Sequence, residues 1–172
     1  MKNMTIILLA CFAISCNTEK KNQTPNINDL ADLKKQENSL KIDSVAVTQV
    51  VLSMLDAVMT TDLSDSLTFD QWTNFFTSDF LYGESEGKPA IEMGKDGFKL
   101  IREAFKDIKI NYDEITIDHV AVSCDLAYVS YHYNATVTTI KTNETQGISR
   151  SALAILRNNK AGAWKVAYQS SN

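Results

Sequence analysis

The sequence predicts an α+β domain in which helices cover one face of a curved antiparallel sheet. Apolar residues recur with helical spacing between residues 44 and 108. From Lys109 onward they alternate with polar residues, which is the period of a β-strand. The later strands are joined by short turns, and such strands must pair antiparallel. Helices can then cover only one face of the sheet.

The composition fits one domain and argues against a nucleic-acid partner. The chain has 172 residues, of which 44% are hydrophobic and 22% charged, and its formal net charge is −4. A mildly acidic chain lacks the basic surface that neutralises phosphate backbones. We therefore expect no nucleic acid among its partners.

Residues 1–15 are predicted to be a lipoprotein signal peptide. A run of about ten largely apolar residues begins at Thr5, which suits a signal peptide and is about half of a membrane span. Ala13-Ile14-Ser15-Cys16 then resembles a bacterial lipobox, whose cysteine receives diacylglycerol and becomes the new amino terminus. We expect Cys16 to be lipidated and the domain to be anchored outside the cytoplasm, in the periplasm or facing the surface. An ordinary cleaved signal and an uncleaved anchor are the alternatives.

Residues 16–43 are predicted to be the lipidated cysteine and a flexible tether, followed by a folded domain over residues 44–172. Residues 17–28 are polar and contain Pro25, a composition typical of spacers. Leu30, Leu33 and Leu40 leave open whether residues 29–40 form a short helix.

Three helices are predicted in the first part of the domain. Asp43 or Ser44 is the expected cap of the first. Its apolar stripe has the i, i+3, i+4 spacing of an amphipathic helix; it comprises Val47, Val50, Val51, Met54, Leu55, Val58 and Met59. Asp70 is the expected cap of a short second helix, which Ser78-Asp79 would end. The third helix presents Phe98, Ile101, Phe105 and Ile108 on one face.

The strands follow from alternation. A first strand is predicted at residues 80–82, before a hairpin or lid-like loop at 83–97 that contains Gly87, Pro89 and Gly94. A long strand spans residues 110–122, and its apolar phase slips, which predicts a bulge at Asp118-His119. Further strands are predicted at residues 127–138, 148–156 and 164–170.

The strand at residues 127–138 has two distinct faces. Tyr131 and Tyr133 belong to an otherwise apolar face, whereas Tyr128, His132 and Asn134 belong to a polar and aromatic one. The alternation does not decide which face lines a pocket.

Four segments carry a resemblance to a known family. They are Thr61-Asp62-Leu63, the strand from Thr77 to Gly83, Asp125-Leu126-Ala127-Tyr128-Val129, and the closing hairpin from Arg150 to Ser171 with Gly162-Ala163-Trp164-Lys165-Val166. Together they resemble the NTF2-like superfamily, in particular SnoaL-like and DUF4440-type domains. The resemblance implies a cone-shaped, cystatin-like barrel with a hydrophobic pocket, often dimerised through the outer face of its sheet. It covers both enzymes and non-catalytic binding modules, so the fold does not give the function.

The resemblance and the strand pattern together indicate a few candidate site residues. His132 and Asp79 are weak candidates for a general base. The predicted pocket residues are Trp72, Tyr82, His132, Arg150 and Gln169. Gln169 stands near the closing strand, where many relatives carry a histidine, which argues against histidine-based chemistry.

No metal or cofactor is expected. The predicted domain contains a single cysteine, Cys124, which excludes a Cys-rich zinc site, and the sequence has no H-E-x-x-H pattern. It also lacks a glycine-rich phosphate loop and a G-x-S-x-G nucleophile elbow.

Three functions remain open at this level. The first is a non-catalytic, lipid-anchored homodimer that binds a small, partly apolar ligand or a protein partner. The second is an isomerase, dehydratase or hydrolase acting on a small hydrophobic substrate with a pocket His or Asp as base. The third is a structural envelope protein without a pocket.

Overall fold

The computed structural model describes residues 27–84, 90–159 and 161–172. The predicted signal peptide, Cys16 and the first part of the tether lie outside these residues. The chain divides into two compact units, Met1–Ser39 and Leu40–Asn172. The described residues of the first unit are helical; the second unit contains the sheet and the sites considered below.

Three helices and six strands make up the described structure. The helices are α1 (Ile27–Thr60), α2 (Ser66–Thr73) and α3 (Lys95–Phe105). The strands are β1 (Phe76–Glu84), β2 (Ile91–Glu92), β3 (Ile108–Ser123), β4 (Leu126–Thr139), β5 (Thr145–Asn158) and β6 (Trp164–Ser171).

The six strands form one curved, open sheet in the order β2-β1-β6-β5-β4-β3. Strands β3 to β6 pair antiparallel in sequence order, as the short turns predict. The α+β class with a curved sheet on N-terminal helices is therefore confirmed. The expected barrel is not closed, and the sheet is not wholly antiparallel, because β1 pairs parallel with β6. The chain between these two strands includes α3 and four strands, so no tight turn constrains their direction.

The helix starts differ from those predicted. Helix α1 runs through Asp43 and Ser44, and the Ser44 hydroxyl donates to the Lys41 carbonyl as it would inside a helix. The carboxylate of Asp65, not that of Asp70, caps α2 by accepting from the backbone amides of Leu67 at 2.9 Å and Thr68 at 3.1 Å. Several cap-forming residues precede α2, and sequence alone did not single out the right one.

Two further boundaries also differ from the prediction. Ser78 and Asp79 do not mark the end of α2, which stops at Thr73. They lie inside β1, which begins at Phe76. Ile108 does not extend α3 but begins β3. The hairpin reading of the loop is confirmed by the antiparallel pairing of β2 with β1, although residues 85–89 are not among those described.

The predicted bulge is confirmed. The register of β3 against β4 shifts between Ile117 and His119, which leaves Asp118 as the extra residue. A second shift lies between Tyr112 and Glu114. Each extra residue changes the phase of the strand, so apolar side chains on both sides of it can face the core.

The core lies between α1 and the inner face of the sheet. Val47, Val51, Met54 and Leu55 of α1 are buried within the same cluster as the inner strand residues. Among the described residues, the segment Ser39–Thr60 is long and apolar enough to cross a membrane, with a mean hydropathy of 1.5. Its stripe of Val47, Val51, Met54 and Leu55 packs in the core, while 22% of its most apolar window is buried.

A group of aromatic residues closes one side of this core. Trp72 of α2 contacts Phe76 with ring centroids 4.8 Å apart and Phe105 at 6.0 Å. Phe98 of α3 lies 5.5 Å from Phe76 and 5.9 Å from Phe80. Offset and edge contacts of this kind add to the stabilisation from burial alone, so they fix α2 and α3 against β1.

Candidate ligand-binding site

The alternation of burial along β4 identifies the inner face of the sheet. Val129 and Tyr131 are fully buried, whereas the side chain of His132 is 48% exposed. Tyr131 and Tyr133 therefore face the helices, and His132 faces outward. The face that carries the polar and aromatic residues is the outer one.

A set of polar side chains lies on this inner face, across five strands. We call it the inner-face tyrosine cluster; it comprises Tyr82, Tyr112, Tyr131, Tyr133, Arg150, Gln169 and Ser171. Strand register brings them together: Tyr133 pairs with Arg150, and Tyr82 pairs with Gln169. Because side chains of paired residues share a face, residues far apart in sequence become neighbours.

Two hydrogen bonds connect members of the cluster. The Gln169 side-chain amide donates from Nε2 to Oη of Tyr131 at 2.9 Å. The hydroxyls of Tyr82 and Ser171 form a second bond, with 3.2 Å between the oxygens. The rings of Tyr112 and Tyr133 meet edge to face with centroids 5.1 Å apart. The cluster is thus ordered partly by its own polar contacts.

The tyrosines of the cluster are held in their neutral form. Burial raises the pKa of Tyr112 and Tyr131 well above the ordinary value of 10.0, and neighbouring tyrosines add to the effect. Burial also raises the pKa of Tyr133, although the charge of Arg150 partly opposes this. At neutral pH these phenols are therefore hydrogen-bond donors and acceptors without charge.

The cluster contains no carboxylate or imidazole. Hydroxyl, amide and guanidinium groups can bind and orient a polar group, but they do not form an acid–base pair near neutral pH. Within the described residues, no group of three or more His, Cys, Asp or Glu side chains is placed to hold a metal ion. The arrangement fits recognition better than proton transfer.

Three of the five predicted pocket residues come together here: Tyr82, Arg150 and Gln169. Trp72 is instead buried in the aromatic core, where its indole nitrogen donates to the Met54 carbonyl at 3.2 Å. His132 lies on the outer face, with its Nδ1 2.8 Å from Oδ1 of Asp118. Asp118 is the extra residue of the bulge in β3, and His132 lies on the neighbouring strand β4, so the contact joins these two strands.

Asp79 also lies away from the cluster. Its side chain is 58% exposed, and Nη2 of Arg157 donates to both of its oxygens at 2.6 Å. The hydrogen bond from Arg157 holds the pKa of Asp79 below its usual value. The partner of Asp79 is thus Arg157. Neither Asp79 nor His132 is enclosed as a general base with a tuned pKa needs to be.

Tyr112, Tyr131 and Tyr133 were not predicted as site residues. The alternation assigned Tyr131 and Tyr133 to an apolar face, where they read as packing residues. A signal was nevertheless present, because each position carries tyrosine where phenylalanine would fill a similar volume. A buried tyrosine hydroxyl normally requires a partner, and Gln169 supplies one to Tyr131.

Comparisons with known proteins identify the fold. No protein-family model matches the chain, and no curated protein matches it. Among solved structures, a conserved protein from Planctomyces limnophilus is 20% identical with a TM-score of 0.63, over 76% of this chain and 94% of that one. A proposed dehydratase of the NTF2-like family from Streptomyces avermitilis is 15% identical with a TM-score of 0.61, over 76% and 95%. The chain has the NTF2-like fold.

A third structure shares the NTF2-like fold. A ketosteroid isomerase-like protein from Erwinia carotovora is 21% identical with a TM-score of 0.60, over 75% of this chain and 94% of that one. Proteins named after an isomerase and a dehydratase are thus among its structural neighbours. At these identities the likeness establishes the fold alone, which hosts many functions.

Proposed function

We propose that the chain is a lipid-anchored, SnoaL-like domain that binds a small, partly apolar ligand at the inner-face tyrosine cluster. One observation carries this proposal: neutral phenols, an amide and a guanidinium converge on the inner face without an acid–base set. Binding sites of this kind combine an apolar wall with a few placed polar groups.

The polar groups favour a ligand with a carbonyl or hydroxyl group. The Tyr131 hydroxyl is engaged by Gln169, whereas the Tyr133 hydroxyl forms no hydrogen bond with any described residue. Tyr133 is half-buried and lies opposite Arg150, which is exposed. A ligand entering from the Arg150 side would therefore meet an available phenol first.

The test is native mass spectrometry of the full chain released from detergent micelles. We expect a co-purified small molecule, and we expect Tyr133→Phe to weaken its binding by about threefold to tenfold, the value of one hydrogen bond. Tyr128→Phe is the matched control, because Tyr128 lies on the same strand but on the outer face. Equal retention of the ligand by both variants would contradict the proposal.

An enzyme is the second candidate, and the neutral tyrosines favour it. A phenol that stays protonated can donate to an oxyanion developing on a substrate, as isomerases and dehydratases require. The two predicted bases, His132 and Asp79, are exposed and lie outside the cluster. Their exposure removes both as bases for this alternative. Turnover of a small hydrophobic substrate that is lost in Tyr133→Phe would establish the enzyme through the neutral phenol.

Lipidation at Cys16 is the second part of the proposal. The lipobox-like segment supports it, and the expected location is the bacterial cell envelope outside the cytoplasm. Metabolic labelling with palmitate should label the wild type and Cys11→Ala but not Cys16→Ala. Labelling that persists in Cys16→Ala would refute the anchor.

A homodimer through the outer face of the sheet is the third part. On that face Leu126 and Tyr128 are exposed, and the Tyr128 ring lies 5.5 Å from that of His119. Exposed apolar side chains on a sheet are typical of contact surfaces. Light scattering after size-exclusion chromatography should give a particle of twice the chain mass, and Tyr128→Lys should reduce the measured mass to that of one chain. A monomeric wild type would exclude this arrangement.

A further inference from the structure

A groove between α2, the start of β1 and α3 concentrates positive charge. We call it the α2–α3 groove; its volume is about 580 Å³, which is within the range of small-molecule sites. Lys99 and Arg102 of α3 and Lys165 of β6 line it, and Asp70 is the one acid among the described residues that line it. The groove is therefore net positive, although the chain as a whole carries a formal charge of −4.

The groove also has apolar walls. Phe69, Phe76, Met93 and Phe98 line it beside the basic residues. Phe76 and Phe98 belong to the aromatic core, with centroids 5.5 Å apart. A ligand here would meet ordered rings on one side and charged groups on the other.

The charges of the three basic side chains are only partly balanced by nearby acids, since Lys99 and Arg102 act on Glu103 without forming a salt bridge with it. Among the described residues, none of them forms a salt bridge, whereas the nearby Lys106 pairs with Glu103 at 2.8 Å. The Nε atom of Arg102 is buried and has no hydrogen-bond partner within the described part of the chain. A buried guanidinium donor without a partner is costly, and a bound anion would satisfy it.

The charge and the donors together indicate the chemistry of the ligand. Three cations against one acid leave about two positive charges, which match the −1.5 to −2 charge of a phosphate monoester at neutral pH. Arginine and lysine are the residues that bind phosphate, and Ser78 and Asn74 add polar groups to the lining. We propose that the α2–α3 groove binds a phosphate monoester that carries an apolar body.

This site is separate from the inner-face tyrosine cluster. Phe76 lies at the first residue of β1, and Tyr82 lies near its end. Their partners on β6 are Val166 and Gln169, which are three residues or roughly 10 Å apart along that strand. No residue of the tyrosine cluster is among the described residues that line the groove. The proposal therefore does not depend on the ligand proposed for the tyrosine cluster.

The test is a calorimetric titration of the full chain in a mild, uncharged detergent. Phenyl phosphate is the soluble probe, and short-chain phosphatidic acid is the lipid probe that presents the same group. Phenol and inorganic phosphate are the comparison ligands, each with one half of the chemistry. We expect one of the two phosphate monoesters to bind at least tenfold more tightly than phenol or inorganic phosphate. Tighter binding of phenyl phosphate would indicate a soluble ligand, and tighter binding of phosphatidic acid would indicate a lipid headgroup. Binding should weaken as salt is added.

Variants locate the binding. Arg102→Gln should weaken it about tenfold or more, as expected for a charge-assisted hydrogen bond. Lys99→Gln should weaken it severalfold; Lys99 is exposed, so this variant stays informative if Arg102→Gln fails to fold. Lys106→Gln is the matched control, since it removes one positive charge from the same side of the molecule outside the groove.

The results that overturn the proposal are specific. They are the absence of binding by both phosphate monoesters, affinity for phenol equal to that for phenyl phosphate, or equal weakening by Lys99→Gln and Lys106→Gln. The last result would indicate attraction by general charge and not by the groove.

Discussion

Replacing Tyr131 with phenylalanine tests the polar organisation of the inner face. Tyr131 is fully buried on β4, and its hydroxyl accepts the Gln169 amide at 2.9 Å. Tyr131→Phe removes one oxygen and leaves the ring, so the packing of the core is preserved. The change isolates the hydrogen bond and leaves the amide of Gln169 without its partner.

The expected loss is about 1 to 1.5 kcal/mol in the free energy of unfolding. A typical hydrogen bond contributes about 0.5 to 1.5 kcal/mol net, and a buried donor left without a partner costs about 1 to 3 kcal/mol. Gln169 is only half-buried, so its amide can partly return to water, and the lower end of the second range applies. For a domain of this size the midpoint of thermal unfolding should fall by roughly 3 to 7 °C.

The assay is urea unfolding of a double-mutant cycle. Tyr131→Phe, Gln169→Met and the double variant are compared with the wild type, and we expect a coupling energy of about 1 kcal/mol. The double variant should lose less than the sum of the two single losses, because neither partner is then left unpaired. Tyr128→Phe, on the exposed face of the same strand, should change stability by less than about 0.5 kcal/mol.

Two outcomes would refute this reasoning. A coupling energy near zero would mean that the Tyr131–Gln169 contact does not contribute to stability. An equal loss in Tyr131→Phe and Tyr128→Phe would mean that the inner face is not distinguished from the outer one.

Three further predictions follow from core packing and charge. Leu156→Ala, at a fully buried position of β5, should lower the free energy of unfolding by about 2 to 5 kcal/mol in urea titrations; a loss below about 1 kcal/mol would contradict the described core. Arg157→Gln should lower the thermal midpoint at neutral pH only slightly, because its pair with Asp79 is exposed, while NMR titration should show the pKa of Asp79 rising. Folding lowers the pKa of Asp79, so the Arg157–Asp79 pair stabilises the fold above pH 3.8, the pKa in the unfolded chain. The pair loses this effect as pH falls through the pKa in the folded chain. An acid unfolding transition that is unchanged in Arg157→Gln would argue against a contribution from the pair. Folding raises the pKa of Tyr112 and Tyr131, so their contribution to stability should be complete below pH 10 and fall as pH rises further. Circular dichroism should show that Tyr131→Phe loses less stability at alkaline pH than the wild type. An identical loss of stability in both would count against burial of the Tyr131 hydroxyl.

Periodicity predicted most elements because it reports local geometry. The stripe of α1 and the alternation of β3 to β6 each arise within one element, and the sequence contains them in full. The bulge at Asp118 was predicted for the same reason, since a phase slip in one strand is visible without its partner. Helix caps were less accessible: Asp65 and Asp70 both suit the role, and only the path of the chain selects Asp65.

Three residues of the inner-face tyrosine cluster were among those predicted to line a pocket, and that role stays a prediction. Tyr82, Arg150 and Gln169 were expected to line a pocket, and their strand register places them on one face of the sheet. Trp72 was expected with them, but its indole packs in the aromatic core. Tyr131 and Tyr133 were missed because a tyrosine on an otherwise apolar face resembles a packing residue until its hydroxyl partner is known.

The sequence by itself determined the α+β class, the antiparallel order of β3 to β6 and the existence of two unlike faces on β4. Only the tertiary structure decided which face meets the helices, since both carry aromatic residues and alternation has no direction. It also decided the parallel pairing of β1 with β6 and the convergence of Lys99, Arg102 and Lys165. These contacts join residues distant in the chain, and their positions depend on the packing of whole elements, which no local pattern encodes.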